Sequence, residues 1–114
     1  WVYSSATETG FNTNEGMLTG ANPSITALPS GGYDAAFQNN NSDLSIWASS
    51  GSGVNTVLGV EKGTTPGIAA ASGGGYEVSF QANTGTLWLY SSLTGQGTNT
   101  NLEMDKGTNP TITE

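Results

Sequence analysis

The chain contains no cysteine and no histidine, and its only basic residues are Lys62 and Lys106. Without cysteine there is no disulfide framework, no thiolate metal site and no thiol nucleophile. Without histidine the commonest general base and a principal metal ligand are also missing, and a Ser-His-Asp arrangement cannot be written. Two cations against nine carboxylates leave a net charge of −7 over 114 residues. That balance excludes a phosphate-binding basic surface, so no nucleic-acid partner is expected, and it disfavours anionic lipid. No apolar run approaches the roughly 20 residues of a membrane helix, so no membrane insertion is expected. A chain that opens at Trp1, with neither an initiator Met nor a signal-like segment, reads as a processed or excised piece.

Gly is abundant instead, at 17 residues, and charged residues make up only 10%. Solubility therefore rests on the hydroxyls and amides of Ser, Thr and Asn, a profile that suits a secreted protein.

An internal repeat organises the rest. Shifting Asn12–Ser49 by 43 positions lays Gly16, Gly20, Pro23, Ile25, Gly31, Gly32 and Tyr33 on Gly59, Gly63, Pro66, Ile68, Gly74, Gly75 and Tyr76. Phe37-Gln38 then falls on Phe80-Gln81, Asn40 on Asn83, Leu44 on Leu87 and Trp47 on Tyr90. A third copy starts at Asn99, where Lys106-Gly107-Thr108 repeats Lys62-Gly63-Thr64 and Pro110-x-Ile112 repeats Pro66-x-Ile68. The opening Trp1-Val2-Tyr3-Ser4-Ser5 matches Trp88-Leu89-Tyr90-Ser91-Ser92.

Within the second copy, four segments of strand character are predicted: Asn55–Val60, Pro66–Ala71, Tyr76–Gln81 and Leu87–Ser92. Gly-Gly pairs and Asn-Thr-Gly clusters interrupt every window long enough for a helix, and β-branched and aromatic residues fill the segments between. Tyr76, Val78 and Phe80 alternate with Glu77, Ser79 and Gln81, so one face of that strand is apolar. A unit of about 43 residues with four antiparallel strands has the size of a β-propeller blade. The expected fold class is all-β, with about two and a half blades per chain. Residues 1–22 would end one blade, 23–65 and 66–109 would be full repeats, and 110–114 would open the next.

Such a chain exposes unpaired strands and two apolar faces, so it is expected to form a homo-oligomer by strand pairing between chains, as a ring or a filament.

The run Gly63-Thr-Thr-Pro-Gly-Ile, followed by Gly73-Gly-Gly-Tyr-Glu-Val-Ser-Phe-Gln-Ala-Asn-Thr-Gly-Thr-Leu-Trp-Leu-Tyr, resembles a repeat of secreted bacterial, especially actinobacterial, proteins. It is similar to the blades of β-propeller lectins of the tachylectin and fucose-lectin type. This resemblance implies a secreted carbohydrate-binding propeller with sugar sites repeated once per blade or between blades. The first full copy departs from the pattern, with Ser45 at the Trp88 position and Trp47 at the Tyr90 position.

A sugar presents C–H faces and a rim of hydroxyls, so its site needs an aromatic platform with amide, hydroxyl or carboxylate partners. The platform candidates are Trp1, Trp47 and Trp88, then Tyr33 and Tyr76. Polar candidates are Gln38, Gln81, Asn40, Asn83, Asp34 and Glu77. Each Trp suits packing between blades better than a sugar contact, and Gln38 and Gln81 stand where an amide can satisfy turn backbone instead. Asp34 and Glu77 are repeat equivalents and not a catalytic couple. The Asn12-Thr-Asn-Glu and Asn39-Asn-Asn-Ser-Asp runs lack the acidic spacing of a calcium loop. The expectation is a non-enzymatic, multivalent glycan-binding lectin without metal or cofactor. The alternative is a structural, self-assembling propeller with no specific ligand.

Overall fold

The computed structural model describes residues 1–114 and contains ten strands and no helix. They are β1 (Val2–Ser4), β2 (Thr9–Phe11), β3 (Ser24–Ala27), β4 (Tyr33–Gln38), β5 (Asp43–Ala48), β6 (Ser52–Gly59), β7 (Gly67–Ala70), β8 (Tyr76–Gln81), β9 (Thr86–Ser91) and β10 (Gln96–Glu103). All pairing is antiparallel between chain neighbours. β1 and β2 form a two-stranded sheet, β3 to β6 a four-stranded meander, and β7 to β10 a second one. None of the three sheets closes on itself.

The turns explain why the strands stop where they do. Gly31 and Gly32, between β3 and β4, have φ of +91° and +87°, and Gly74 and Gly75 repeat this between β7 and β8 at +90° and +75°. A side chain in that left-handed region is strained, so glycine is the residue for the turn. Between β4 and β5 the side chain of Asn39 builds the turn instead. Its Oδ1 accepts the N–H groups of Asn41 and Asp43 at 2.9 and 3.0 Å, and its Nδ2 donates to Ser45 Oγ at 2.9 Å. This is the local side-chain competition for backbone that makes Asn a turn residue.

One strand is placed differently from the sequence expectation. The four segments predicted for the second copy include Asn55–Val60, whereas β6 begins at Ser52 and pairs with β5, with Ser45 opposite Asn55 and Trp47 opposite Gly53, as the 23–65 boundary requires. Gly51, at φ +96°, turns the chain back onto β5 straight after Ala48. The segment therefore closes the first four-stranded sheet. Pro110–Thr113, expected as a strand, belongs to no sheet. Its backbone nonetheless runs beside β7, the Pro110 carbonyl and Ile112 amide lying 3.0 and 3.2 Å from where a side chain at Gly67 would begin.

The core lies between the two four-stranded sheets. Ala36, Leu44 and Ile46 come from one side, and Ile68, Val78, Phe80 and Tyr90 from the other, joined by Val60 and Ala82. Alternation accounts for the selection: Ala36 pairs with Ile46, and Val78 with Tyr90, so each pair shares one face of its sheet. Phe80 is the largest fully buried side chain, and a Phe→Ala truncation at such a site costs about 3–5 kcal/mol. At one edge of this interface β3 runs alongside β7, where Ser24 Oγ donates to the Pro66 carbonyl at 2.5 Å.

Candidate functional site: clefts between successive sheets

A short bulge recurs three times along the chain and sets the geometry of the site. In Asn12-Thr13-Asn14, Asn55-Thr56-Val57 and Asn99-Thr100-Asn101 the third residue has φ of 60°, 60° and 61°. The Asn Oδ1 accepts that residue's N–H at 3.0, 2.9 and 2.9 Å. Thr56 and Thr100 donate to the carbonyls of Leu44 and Leu87, both at 2.8 Å, and so pin the bulge to the neighbouring strand. The extra residue shifts the register of β6 on β5 and of β10 on β9. Its consequence is to direct the following residue across to the next sheet. Glu15 lies over Gly53 and Leu58 over Gly97, where any side chain on the glycine would collide with it.

Two clefts form beside these bulges, each between one sheet and the next. The first is a cavity of about 120 Å³ with Trp1, Phe37 and Trp47 as aromatic lining and Thr13 and Glu15 as polar groups, together with Val2, Met17, Pro23 and Ala35. The second is a cavity of about 150 Å³ between Phe80 and Trp88, with Asn83 and Thr84 on its polar side and Val57 and Leu58 from the bulge. Phe37 and Phe80 are repeat equivalents, as are Glu15 and Leu58, so the clefts share these two positions in successive units, while Trp47 and Trp88 enter from different places in the repeat. Both are far below the roughly 300–1,000 Å³ of drug-sized sites; a single small ring is the matching scale.

The aromatic rings are held firmly. Phe80 and Trp88 meet with centroids 6.4 Å apart, and Trp88 Nε1 donates to Thr86 Oγ1 at 3.1 Å. In the first cleft Trp47 packs on Phe11 at 6.1 Å, and its Nε1 is buried without a hydrogen-bond partner. Such an unpaired donor costs about 1–3 kcal/mol. The amides of Asn40 and Asn83 lie over Gly16 and Gly59, in the space a Cβ would fill. Both side chains are exposed, so each glycine lets a polar group close against the preceding sheet.

Of the eleven residues singled out from the sequence, Trp1, Trp47, Trp88 and Asn83 line the clefts, and Asn40 flanks the first one through its contact with Gly16. Gln38 and Gln81 lie elsewhere. Both are fully buried and act as clamps on the chain that leaves each sheet. Gln38 Nε2 donates to the carbonyl of Val60 at 2.9 Å, and its Oε1 accepts the Gly63 N–H at 2.9 Å. Gln81 repeats the pattern, donating to the carbonyls of Met104 and Asp105 at 3.3 and 3.1 Å and accepting from Gly107 at 2.9 Å. With both amide ends occupied by backbone, neither side chain has a free group for a ligand.

Asp34 and Tyr76 sit in the packed interface. Burial raises the Asp34 carboxyl above its ordinary range. The Tyr76 phenol is pushed up to about 12, first by burial and then by Tyr90 and the Asp34 charge. Glu77 follows Tyr76 on the strand, so it points to the opposite side of the second sheet, where it is exposed. The two carboxylates therefore do not converge. Tyr33 begins β4, half-buried, and does not reach the first cleft.

Sequence reasoning missed Phe37, Phe80, Glu15 and Leu58. The signal for the last two was the thrice-repeated Asn-Thr pair, which marks a bulge one residue before the side chain that enters the cleft. Comparison with family models, curated proteins and solved structures finds no match to this chain.

Proposed function

We propose that the two four-stranded sheets are propeller blades and that the clefts between successive units bind glycans, making this a secreted, non-enzymatic, multivalent lectin module. The observation that carries the reading is the recurrence of the cleft. Phe37 and Phe80 stand at the same repeat position, each with a Trp beside it in its cleft, and Thr13 and Glu15 in the first cleft and Asn83 and Thr84 in the second add hydroxyl, carboxylate and amide groups. An aromatic face matches the C–H side of a pyranose, and the polar groups match its hydroxyl rim. Clefts this small give weak single-site affinity, and repetition then supplies avidity on a multivalent glycan surface. Binding without catalysis fits a site where two carboxylates do not face each other across one ligand.

All three Trp residues line one cleft or the other, so intrinsic fluorescence reports occupancy of both. Titration with a panel of monosaccharides, alongside binding to a glycan array, is expected to give a saturable fluorescence change and array signal for one sugar class. Trp88→Leu keeps an apolar filler against Phe80 and is expected to remove the second cleft's contribution while leaving the first. Background signal across the array at the highest protein concentration overturns the proposal.

A further inference from the structure

The second cleft is built entirely from the two four-stranded sheets and the turn after β8, and its two sides differ in chemistry. That turn brings Asn83 and Thr84, both exposed, to one side. Val57 and Leu58, from the bulge in β6, form the other. A hydroxyl pressed against the Val57-Leu58 lip loses its water and gains no partner, which is unfavourable. A sugar ring seated between the two sides therefore turns hydroxyls toward Asn83 and Thr84 and an apolar edge toward the lip.

Val57 says more than Leu58. It holds φ at 60°, a left-handed conformation that a β-branched residue adopts only under strain. The other two bulges carry Asn14 and Asn101 at this position, the residue type that tolerates it best. Packing does not offset the strain, because Val57 is 75% exposed and adds little to the core. Asn would build the same bulge, since the bond from Asn55 Oδ1 is to the backbone N–H of residue 57 and does not involve its side chain. A strained apolar side chain kept at the mouth of a cleft points to contact with something outside the chain.

The size of the cleft limits what that is. A volume of about 150 Å³ suits a single small ring. A substituent as small as a methyl group stays inside with the ring and leaves most of Val57 bare, whereas a larger group leading outward from the ring covers it. We infer that the second cleft takes glycosides whose sugar carries an apolar alkyl or aryl aglycone, the sugar lying between Trp88 and Asn83 and the aglycone along Val57. This rests on the reading of the cleft as a glycan site and names the ligand class for it. At the matching place the first unit has Asn14 and Glu15, so the preference belongs to the second cleft alone.

Calorimetric titration with the methyl, octyl and phenyl glycosides of glucose, galactose and mannose, each below its micelle concentration, tests this, with octanol and phenol as sugar-free controls. For the sugar that binds, the octyl or phenyl glycoside is expected to bind about tenfold tighter than the methyl glycoside, the scale of covering one exposed Val. In Val57→Asn that ratio is expected to fall to about one, and a urea midpoint no lower than that of the unaltered chain shows that the fold is intact. Octyl favoured over phenyl, or the reverse, supports the inference and tells a lipid-linked sugar from an aromatic glycoside. A ratio near one in the unaltered chain overturns the inference and leaves the glycan reading standing. So does an advantage that persists in Val57→Asn. Octanol or phenol binding as tightly as the glycosides also overturns it, because the sugar then plays no part. Absence of binding by every glycoside and every free sugar overturns the glycan reading and the inference together.

Discussion

Replacing Gln38 and Gln81 one at a time by Met tests how the repeat is held together, because the same clamp occurs in two settings. At Gln38 the substitution removes three hydrogen bonds, to the Val60 and Glu61 carbonyls at 2.9 and 3.4 Å and from the Gly63 amide at 2.9 Å. Each is worth about 1 kcal/mol. Val60 is itself buried, so its carbonyl is left without a partner, which adds about 1–3 kcal/mol. Met fills similar volume and recovers part of this through its apolar surface, leaving a net loss of roughly 2–4 kcal/mol. At Gln81 the three bonds are of similar length, 3.3 and 3.1 Å to Met104 and Asp105 and 2.9 Å from Gly107, but Asp105 and Gly107 are exposed. Water replaces the lost partners there, so the cost falls to roughly 1–2 kcal/mol. In urea, with a slope of about 1–3 kcal/mol per molar for a small domain, Gln38→Met should lower the midpoint by about 1 M or more and Gln81→Met by clearly less. Tryptophan fluorescence follows the transition. Equal losses, or losses under about 0.5 kcal/mol at both positions, would refute the clamp. So would a Gln81→Met variant of unchanged midpoint that no longer answers to sugar, since the amide would then be a ligand contact.

Val57 is a β-branched residue at φ 60° and 75% exposed, in the place where the other two bulges carry Asn14 and Asn101. The left-handed conformation costs an L-residue roughly 1–2 kcal/mol and Asn less, so Val57→Asn should raise stability by about 1 kcal/mol; a decrease in the urea midpoint would refute the strain. Tyr76, with its phenol near 12, holds its proton in the folded chain over a range where the unfolded chain, with the ordinary value near 10, has lost it. Its contribution to stability is therefore complete below pH 10 and lost as pH rises toward 12. Two units correspond to about 2.7 kcal/mol, which solvent at the half-buried ring reduces to about 1 kcal/mol. Tyr76→Phe should flatten the alkaline limb of the stability profile by that amount, and superimposable profiles would count against it.

The strand content was legible because two signals agreed. Glycine pairs at fixed spacing removed helix, and the alternation in Tyr76-x-Val78-x-Phe80 announced one buried face, which the core between the sheets contains. The placement of Asn55–Val60 was less accessible, since a repeat can be cut at any point without changing its period. What decides the boundary is the turn at Gly51, whose left-handed conformation is visible only in three dimensions. The roles of Gln38 and Gln81 were hidden for a different reason. An amide has the same donors and acceptors whether it meets a sugar or a carbonyl, and the partners Val60 and Gly63 lie 22 and 25 residues away in sequence.

Clamp, bulge and cleft follow from one arrangement. Gln38 fixes the chain that leaves the first sheet at Val60 and Gly63, and the Asn55-Thr56 bulge just before it sends Leu58 across toward Trp88. The distance between successive sheets and the side chain that enters the cleft are thus set within a few residues of each other. A substitution that loosens the clamp therefore changes the cleft it adjoins. In the chain itself the clamp at Gln38 holds two full sheets together, while that at Gln81 holds a segment with no sheet beyond it.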